Sequence, residues 1–324
     1  MTAYILRRLF PSMLTLCAMA VLVFLGVYMI GDPIETLIDP AADQATRAQV
    51  AHQLGLDRPV HEQFLRFMSD AARGDLGRSF VHDVPAVQLI AARFPATLEL
   101  AVAAMLIAVL AGIPLGMWAG LKPRSRTGRI IMAGSILGFS LPSFWVGMML
   151  ILLFSVTLGW LPAGGRGETA ELFGIQFSIL TWDGIQHLLL PAANLALIQL
   201  ALVIRLVRAG TDDVVHQDYI RFAHAKGLHP ARVMFIHILK NVLIPVVTVL
   251  GIEFGSLLAF AVVTETVFAW PGVGRLLVQS ILSLDRPVVV AYLMLAIMMF
   301  IVINLLVDII YSALDPRVRL LERE

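Results

Sequence analysis

LELAVAAMLIAVLAGIPLGMWA, at residues 98–119, carries a single charged side chain, Glu99, over a length that an α-helix needs to cross the hydrocarbon of a bilayer. That core is about 30 Å thick and a helix rises about 1.5 Å per residue, so roughly 20 consecutive apolar residues make a span. Working outward, five further runs approach or exceed that length, at 12–30, 130–158, 188–207, 242–268 and 288–310. Those at 130–158 and 242–268 are long enough to tilt or kink. Composition agrees: of 324 residues 59% are apolar and 15% charged, with a mean hydropathy of +0.84, which is more apolar side chain than one water-soluble core can hide. Segments of about ten residues with alternating polarity, the signature of a membrane barrel, do not occur. Helices then remain as the way to satisfy every backbone group in lipid, so the expected fold class is all-α, a polytopic membrane protein with six transmembrane helices.

Arg7 and Arg8 precede the first run as in a secretory signal peptide. The run exceeds a usual signal core, however, and Gly31-Asp32-Pro33 offers no small-residue cleavage site, so a retained span is expected. Cys17 is the only cysteine and excludes both an internal disulfide and a cysteine-cluster metal site. Threading follows from Lys and Arg. Two lie before the first span, four between the second and third, six across 205–240 and three after the sixth; the opposite side has six in a long mixed-charge loop, one at Arg166 and two at Arg275 and Arg286. The short loops decide, and both termini are expected to be cytoplasmic. The long loop then lies outside, and Val60, Phe64, Phe67 and Met68, at helical spacing after Asp57-Arg58-Pro59, predict a small helical cap there.

Residues 218–228, DYIRFAHAKGL, are punctuated as helix, break, helix: Asp218 is a candidate N-cap, Gly227 a stop, and Pro230 opens a second helix. Tyr219, Phe222, Ala223 and Lys226 fall at i, i+3, i+4 and i+7, a narrow and partly apolar face. Such a face suits a groove on another protein. It equally suits the bilayer surface, with Arg221, Lys226 and Arg232 among headgroups.

The same stretch resembles the cytoplasmic coupling motif of ABC importer permeases, summarised as Glu-Ala-Ala, three residues, Gly. Ala223 and Gly227 match it, while Arg221 stands at the Glu position and Phe222 at the first Ala. The dipeptide/oligopeptide (peptide/nickel) branch, in its first-permease type, is more similar still: its Tyr-x-Arg-x-Ala-x-Ala-Lys-Gly-Leu is matched at Tyr219, Arg221, Ala223, Ala225, Lys226, Gly227 and Leu228. Further segments resemble that branch in order, among them YILRRL at 4–9, GDP at 31–33, LGLD at 54–57, GDLG at 74–77, TETVFAWPGVGR at 264–275, NLLVD at 304–308 and LDPRVR at 314–319.

The resemblance implies a cytoplasmic N-terminus and first span at 1–31, a periplasmic insert at 32–97 and a permease core at 98–324, with a coupling segment at 209–241. Asp218 and Phe222 join the matched residues as the implied coupling surface, docking on an ATPase. The implied partners are a second permease, two ABC ATPase subunits, an extracytoplasmic substrate-binding protein and the bilayer, with no nucleic acid. The implied activity is ATP-driven import of dipeptides or short oligopeptides at the bacterial inner membrane.

The remaining polar residues admit two readings each. Glu253, deep in the fifth run, would cost about 2.5–3.5 kcal/mol facing lipid, so it faces either a translocation path or a hydrogen-bonding helix. Ser256 joins it as a candidate path residue; Thr264 and Glu265, near the end of that run, are gate candidates or simply interfacial. Asn194 and Gln199 read as hydrogen-bonding links between helices, and Asp308 as the partner of an Arg. Pro142, Pro191 and Pro245 are candidate kinks. No Gly precedes any of the three lysines, which excludes a phosphate-binding P-loop. A nucleophile elbow and paired metal-binding histidines are also missing, so catalytic, cofactor-binding and metal residues are not expected, and ATP and Mg belong to the partner ATPases. The competing function is a stand-alone secondary transporter or channel, which would need more spans or internal repeats.

Overall fold

The computed structural model describes residues 14–26, 43–54 and 57–314, with side chains through residue 303. The motifs at 4–9 and 31–33, most of that at 314–319, and the side chain of Asp308 lie outside the described residues. In chain order the elements are α1 (Leu14–Gly26), α2 (Gln44–Leu54), α3 (Val60–Ala72), α4 (Ala86–Leu121), α5 (Arg126–Ser140) and α6 (Ser143–Leu150), which continues as π-helix through Ile151–Thr157. A short antiparallel hairpin, β1 (Ala170–Leu172) and β2 (Ile175–Phe177), is the one departure from an all-helical chain among the described residues. There follow α7 (Trp182–Val215), α8 (Asp218–Ala225) and α9 (Pro230–Arg232), the last passing through π-helical Val233–Leu239 into α10 (Lys240–Val267). Then come α11 (Val273–Leu282) and α12 (Arg286–Leu314).

Four stretches are long and apolar enough to cross a membrane: Ala86–Leu121, Trp182–Val215, Pro245–Val267 and Arg286–Ile303. The run at 130–158, expected to tilt or kink and carrying the candidate kink Pro142, is broken there: α5 and α6 meet at 108°. Leu141, the residue before a proline, is pushed out of the helical region to φ −83° and ψ 138°, and Pro142 has no N–H to carry the ladder across. Counted as one broken span, the pair makes a fifth. Pro191 and Pro245 instead lie inside continuous helices. Described residues of the first run form only α1, shorter than a span.

The chain divides into two compact units. One holds the described residues up to Pro95 together with Pro271–Val302, and the other is Ala96–Trp270. The stretch 271–302 thus groups with the N-terminal residues.

In the first unit, Asp43 caps α2. Hydrogen bonds from the Thr46 side chain and backbone hold its carboxyl below the usual carboxylate range. The cap helix is present as α3, and its apolar face lies on α1, with Phe24 ring centroids 5.3 Å from Phe64 and 5.9 Å from Phe67. Ala20 and Val23 of α1 pack with Val289, Val290 and Met294 of α12. Helix α11 escaped the sequence reading although it is signalled by apolar spacing after Gly272. Its Val273 and Leu276 close a second cluster with Ala86, Ile90, Val288 and Ala291. Asp285, at the start of α12, accepts hydrogen bonds from Ser79 Oγ and from Phe80 N, at 2.9 Å for the latter, and so fastens the insert to that helix.

In the second unit, α7 is the central helix, with 61% of its apolar window buried. Gly112, Gly116 and Gly120 recur every four residues on α4 and let the two backbones approach. A Cβ on them would lie 2.7 Å from Val203 Cγ1, Val207 Cβ and Thr211 Cβ respectively. Gly116→Leu therefore has no room without separating α4 from α7. Purified in detergent, that variant is expected to lose at least about 1–3 kcal/mol, read as a lowered thermal midpoint. Gly134→Ala and Gly138→Ala, whose added Cβ meets nothing within 4 Å, are expected to match the parent or exceed it.

Candidate functional site

Residues 218–228 fold as their punctuation requires, with two adjustments. The N-cap of α8 is Gln217, in extended conformation, so Asp218 is the first helical residue. Its carboxylate lies where a helix N-terminus favours negative charge, 3.6 Å from Arg221 Nη1. The second adjustment concerns the face. Ala223, expected on the protruding side, is 5% exposed and turns inward with Ile220 to join Val207, Val233, Ile238, Val242 and Val246 in one core. The apolar pair at i and i+3 takes the buried side, and the larger rings stay out. Tyr219 and Phe222 are 44% and 60% exposed, and Arg221, Ala225 and Lys226 are exposed beside them. Asn241 Nδ2 donates to Tyr219 Oη at 3.2 Å, and the Lys226 ammonium sits 4.6 Å above the Phe222 ring.

Gly227 ends α8 at φ +71°, in the left-handed region. Its N–H donates to His224 O at 2.9 Å and the Leu228 N–H to Ala223 O at 3.2 Å, the paired bonds of a Schellman termination. His229 then accepts from Ala231 N through Nδ1 at 3.4 Å and Pro230 occupies the first turn of α9. The result is a short helix rooted by two apolar side chains, stopped sharply, and returned at once into α10.

The other sequence-selected residues lie along α10 at two levels. Glu253 and Ser256 are half-buried, and Gln199 Nε2 of α7 donates to Glu253 Oε2 at 3.3 Å. Eleven residues on, about 16 Å along the helix axis, Thr264 and Glu265 are buried. Asn194 Nδ2 donates to Thr264 Oγ1 at 3.1 Å, and Thr97 Oγ1 of α4 donates to Glu265 Oε1 at 2.6 Å. Trp270 extends this knot: its backbone N–H donates to Glu265 O at 2.8 Å and its indole to Ala96 O at 2.9 Å. The four residues therefore form two sites, separate from each other and from α8.

Sequence reasoning missed a third polar centre. Glu99, inside the apolar run that opened the reading, pairs with Arg166 at 2.8 Å, and both side chains are largely buried. Glu99 Oε1 also accepts from Ile179 N at 2.7 Å, and Arg166 donates to Gln176 O at 2.6 Å, so the loop between α6 and α7 is clasped onto α4. The available signal was a lone carboxylate in an apolar run and a lone cation in a short loop.

Against known families, the profile for the inner membrane component of binding-protein-dependent transport systems matches residues 112–320, and the profile for the N-terminal part of such components matches 1–101. The chain belongs to this family. This inner membrane component is 40% identical over 335 residues to the di/tripeptide transport system permease protein DppB of Pseudomonas aeruginosa, covering 98% of this chain and 99% of that one. It is 41% identical over 320 residues to the glutathione transport system permease protein GsiC of Escherichia coli K12, with the same coverage. Its fold is that of a subunit in inward-facing MetNI, a methionine ABC transporter, at a TM-score of 0.57 and 16% identity over 71% of this chain and 97% of the other. The protein is thus the permease component of an ABC importer and carries no ATPase site of its own.

In this permease the Glu99–Arg166 pair should show the signature of buried charge. Arg166→Ala strands a carboxylate away from water and is expected to cost about 3–5 kcal/mol. Glu99→Leu with Arg166→Met removes both charges and should recover most of that loss. Thermal unfolding of the single and double variants in one detergent compares them; a double variant no better than the single would mean that packing, rather than ion pairing, holds the loop.

Proposed function

We propose that this permease crosses the membrane six times with both termini in the cytoplasm, supplies one half of a two-permease path for short peptides, and is driven by ATPase subunits that grip α8. The observation that carries the reading is the construction of α8: Ile220 and Ala223 root it in the core shared with α7 and α10, while Tyr219, Phe222, Arg221 and Lys226 stand outward. A force applied to that outward face passes into α10 through packed side chains and the Asn241 to Tyr219 hydrogen bond. Asp218, Ala225, Gly227 and Leu228 complete the segment. ATP binding by the partners shifts the bundle between two arrangements, and this chain performs no chemistry in the cycle.

Along α10, half-buried Glu253 and Ser256 are the path residues of this reading, and buried Thr264 and Glu265, tied to Asn194 and Thr97, are the gate. The relatives named for di/tripeptide and glutathione transport point to peptides of two or three residues as the solute. A second permease of similar fold is included because a bundle of this size encloses no peptide-wide path alone, and a substrate-binding protein delivers the solute from the periplasm.

The test is affinity purification in mild detergent with mass spectrometry of the co-purifying chains. Wild-type protein should bring ATPase subunits and a second permease, and Arg221→Glu with Lys226→Glu should lose the ATPases while keeping the permease. Gly227 gives an independent check: at φ +71° proline cannot be accommodated, whereas alanine meets no atom within 4 Å and costs only about 1–2 kcal/mol. Gly227→Pro should abolish peptide uptake with membrane insertion intact, and Gly227→Ala should retain much of it. Normal uptake by the proline variant would remove α8 from the coupling role.

A further inference from the structure

The turn joining α4 to α5 carries Lys122, Arg124, Arg126 and Arg129, all exposed. None of the four forms an ion pair among the described residues. Between Glu99 and Glu168 the sequence contains no Asp or Glu at all, so no acid on the same elements balances them. On α7, Asp212 and Asp213 follow Thr211, which packs against Gly120, and both are exposed. Asp212 is 4.0 Å from His216 on its own helix.

The turn is also rigid, which a merely solvated charge run need not be. Ser125 Oγ donates to Lys122 O at 2.7 Å and accepts from Gly128 N at 2.9 Å. Trp118 Nε1 donates to Thr127 Oγ1 at 2.9 Å, the Lys122 ammonium stands 4.5 Å over the Trp118 ring, and a Cβ at Gly128 would meet Lys122 O at 2.7 Å. Around this fixed cationic ring the surface changes abruptly: Leu115, Leu121 and Ile130 are exposed apolar side chains on the helices it joins, and Trp118 is half-exposed between the two zones. An indole at a boundary of apolar surface and cations marks the headgroup level of a bilayer.

We propose that the α4–α5 turn is a binding site for an anionic phospholipid, its phosphate held by Lys122, Arg124, Arg126 and Arg129 and its acyl chains lying along Leu115, Leu121 and Ile130. Charge complementarity selects this occupant, since the patch joins four cations that form no ion pair among the described residues directly to an exposed apolar surface. A soluble phosphate would use the first and leave the second uncovered.

The probes are phosphatidylglycerol and phosphatidylcholine, offered together to the full-length protein in mixed vesicles and counted by native mass spectrometry after extraction. Wild-type protein should retain phosphatidylglycerol at least about tenfold over phosphatidylcholine, since each surface cation contributes roughly fivefold to anionic-lipid affinity. The preference should fall as sodium chloride is raised, a control that leaves the fold untouched. Lys122→Gln with Arg124→Gln, Arg126→Gln and Arg129→Gln should abolish it, and because those changes could alter threading, Arg124→Lys with Arg126→Lys is included and should keep it. Three results would overturn the proposal: equal retention of the two lipids by wild type, displacement by sodium phosphate beyond that by chloride at equal ionic strength, or cross-linking from position 124 to an ATPase subunit in place of lipid.

Discussion

Hydrocarbon offers no hydrogen-bond partner, so every polar group that enters it must bring one along, and the arrangement of this permease follows from that constraint. The backbone meets it by forming helices. Side chains meet it in part by pairing: Gln199 reaches Glu253, Asn194 reaches Thr264 and Thr97 reaches Glu265, each bond crossing from one helix to the next, while the amide oxygens of Asn194 and Gln199 stay buried without a hydrogen-bond partner among the described residues. Water would make such bonds nearly neutral. In an interior that excludes it, losing one leaves a polar atom stranded at a cost of about 1–3 kcal/mol, so these bonds fix the register of α4 and α7 against α10.

Apolar packing cannot fix register alone in lipid, where acyl chains are as good a neighbour as leucine. Close approach supplies what hydrophobicity does not. The glycines at 112, 116 and 120 bring the α4 backbone against α7, and the dispersion gained along that seam holds the pair together. Helix α7 is consequently packed on more than one side, by α4 through the glycine seam and by α10 through the polar pairs. Helix α8 is rooted among residues of both α7 and α10.

How much of this was legible in the sequence depends on what kind of information hydropathy holds. It reports how long a segment stays apolar and says nothing of direction, so Pro142 was legible as a kink while the size of the bend, 108°, was not. Periodicity located the faces of α3 and α8, yet on α8 it counted Ala223 with the rings. The face that buries is decided by the neighbours, Val207 and Val242 among them, which lie on the flanking helices α7 and α10, outside the window that periodicity reads. The punctuation at Gly227 and Pro230 was readable because backbone sterics are local. The Glu99–Arg166 clasp was not, since its partners are 67 residues apart and neither the lone carboxylate nor the lone cation names the other.

The two polar levels on α10 then acquire different meanings from their burial. Thr264 and Glu265 are enclosed and hydrogen-bonded to α7 and α4, so exposing them would require breaking those bonds together. Glu253 and Ser256 keep part of their surface, and the single 3.3 Å contact to Gln199 leaves the carboxylate free to exchange partners. The two levels are therefore held differently along one helix, Glu253 by a single bond to α7 and the Thr264–Glu265 pair by bonds to both α7 and α4.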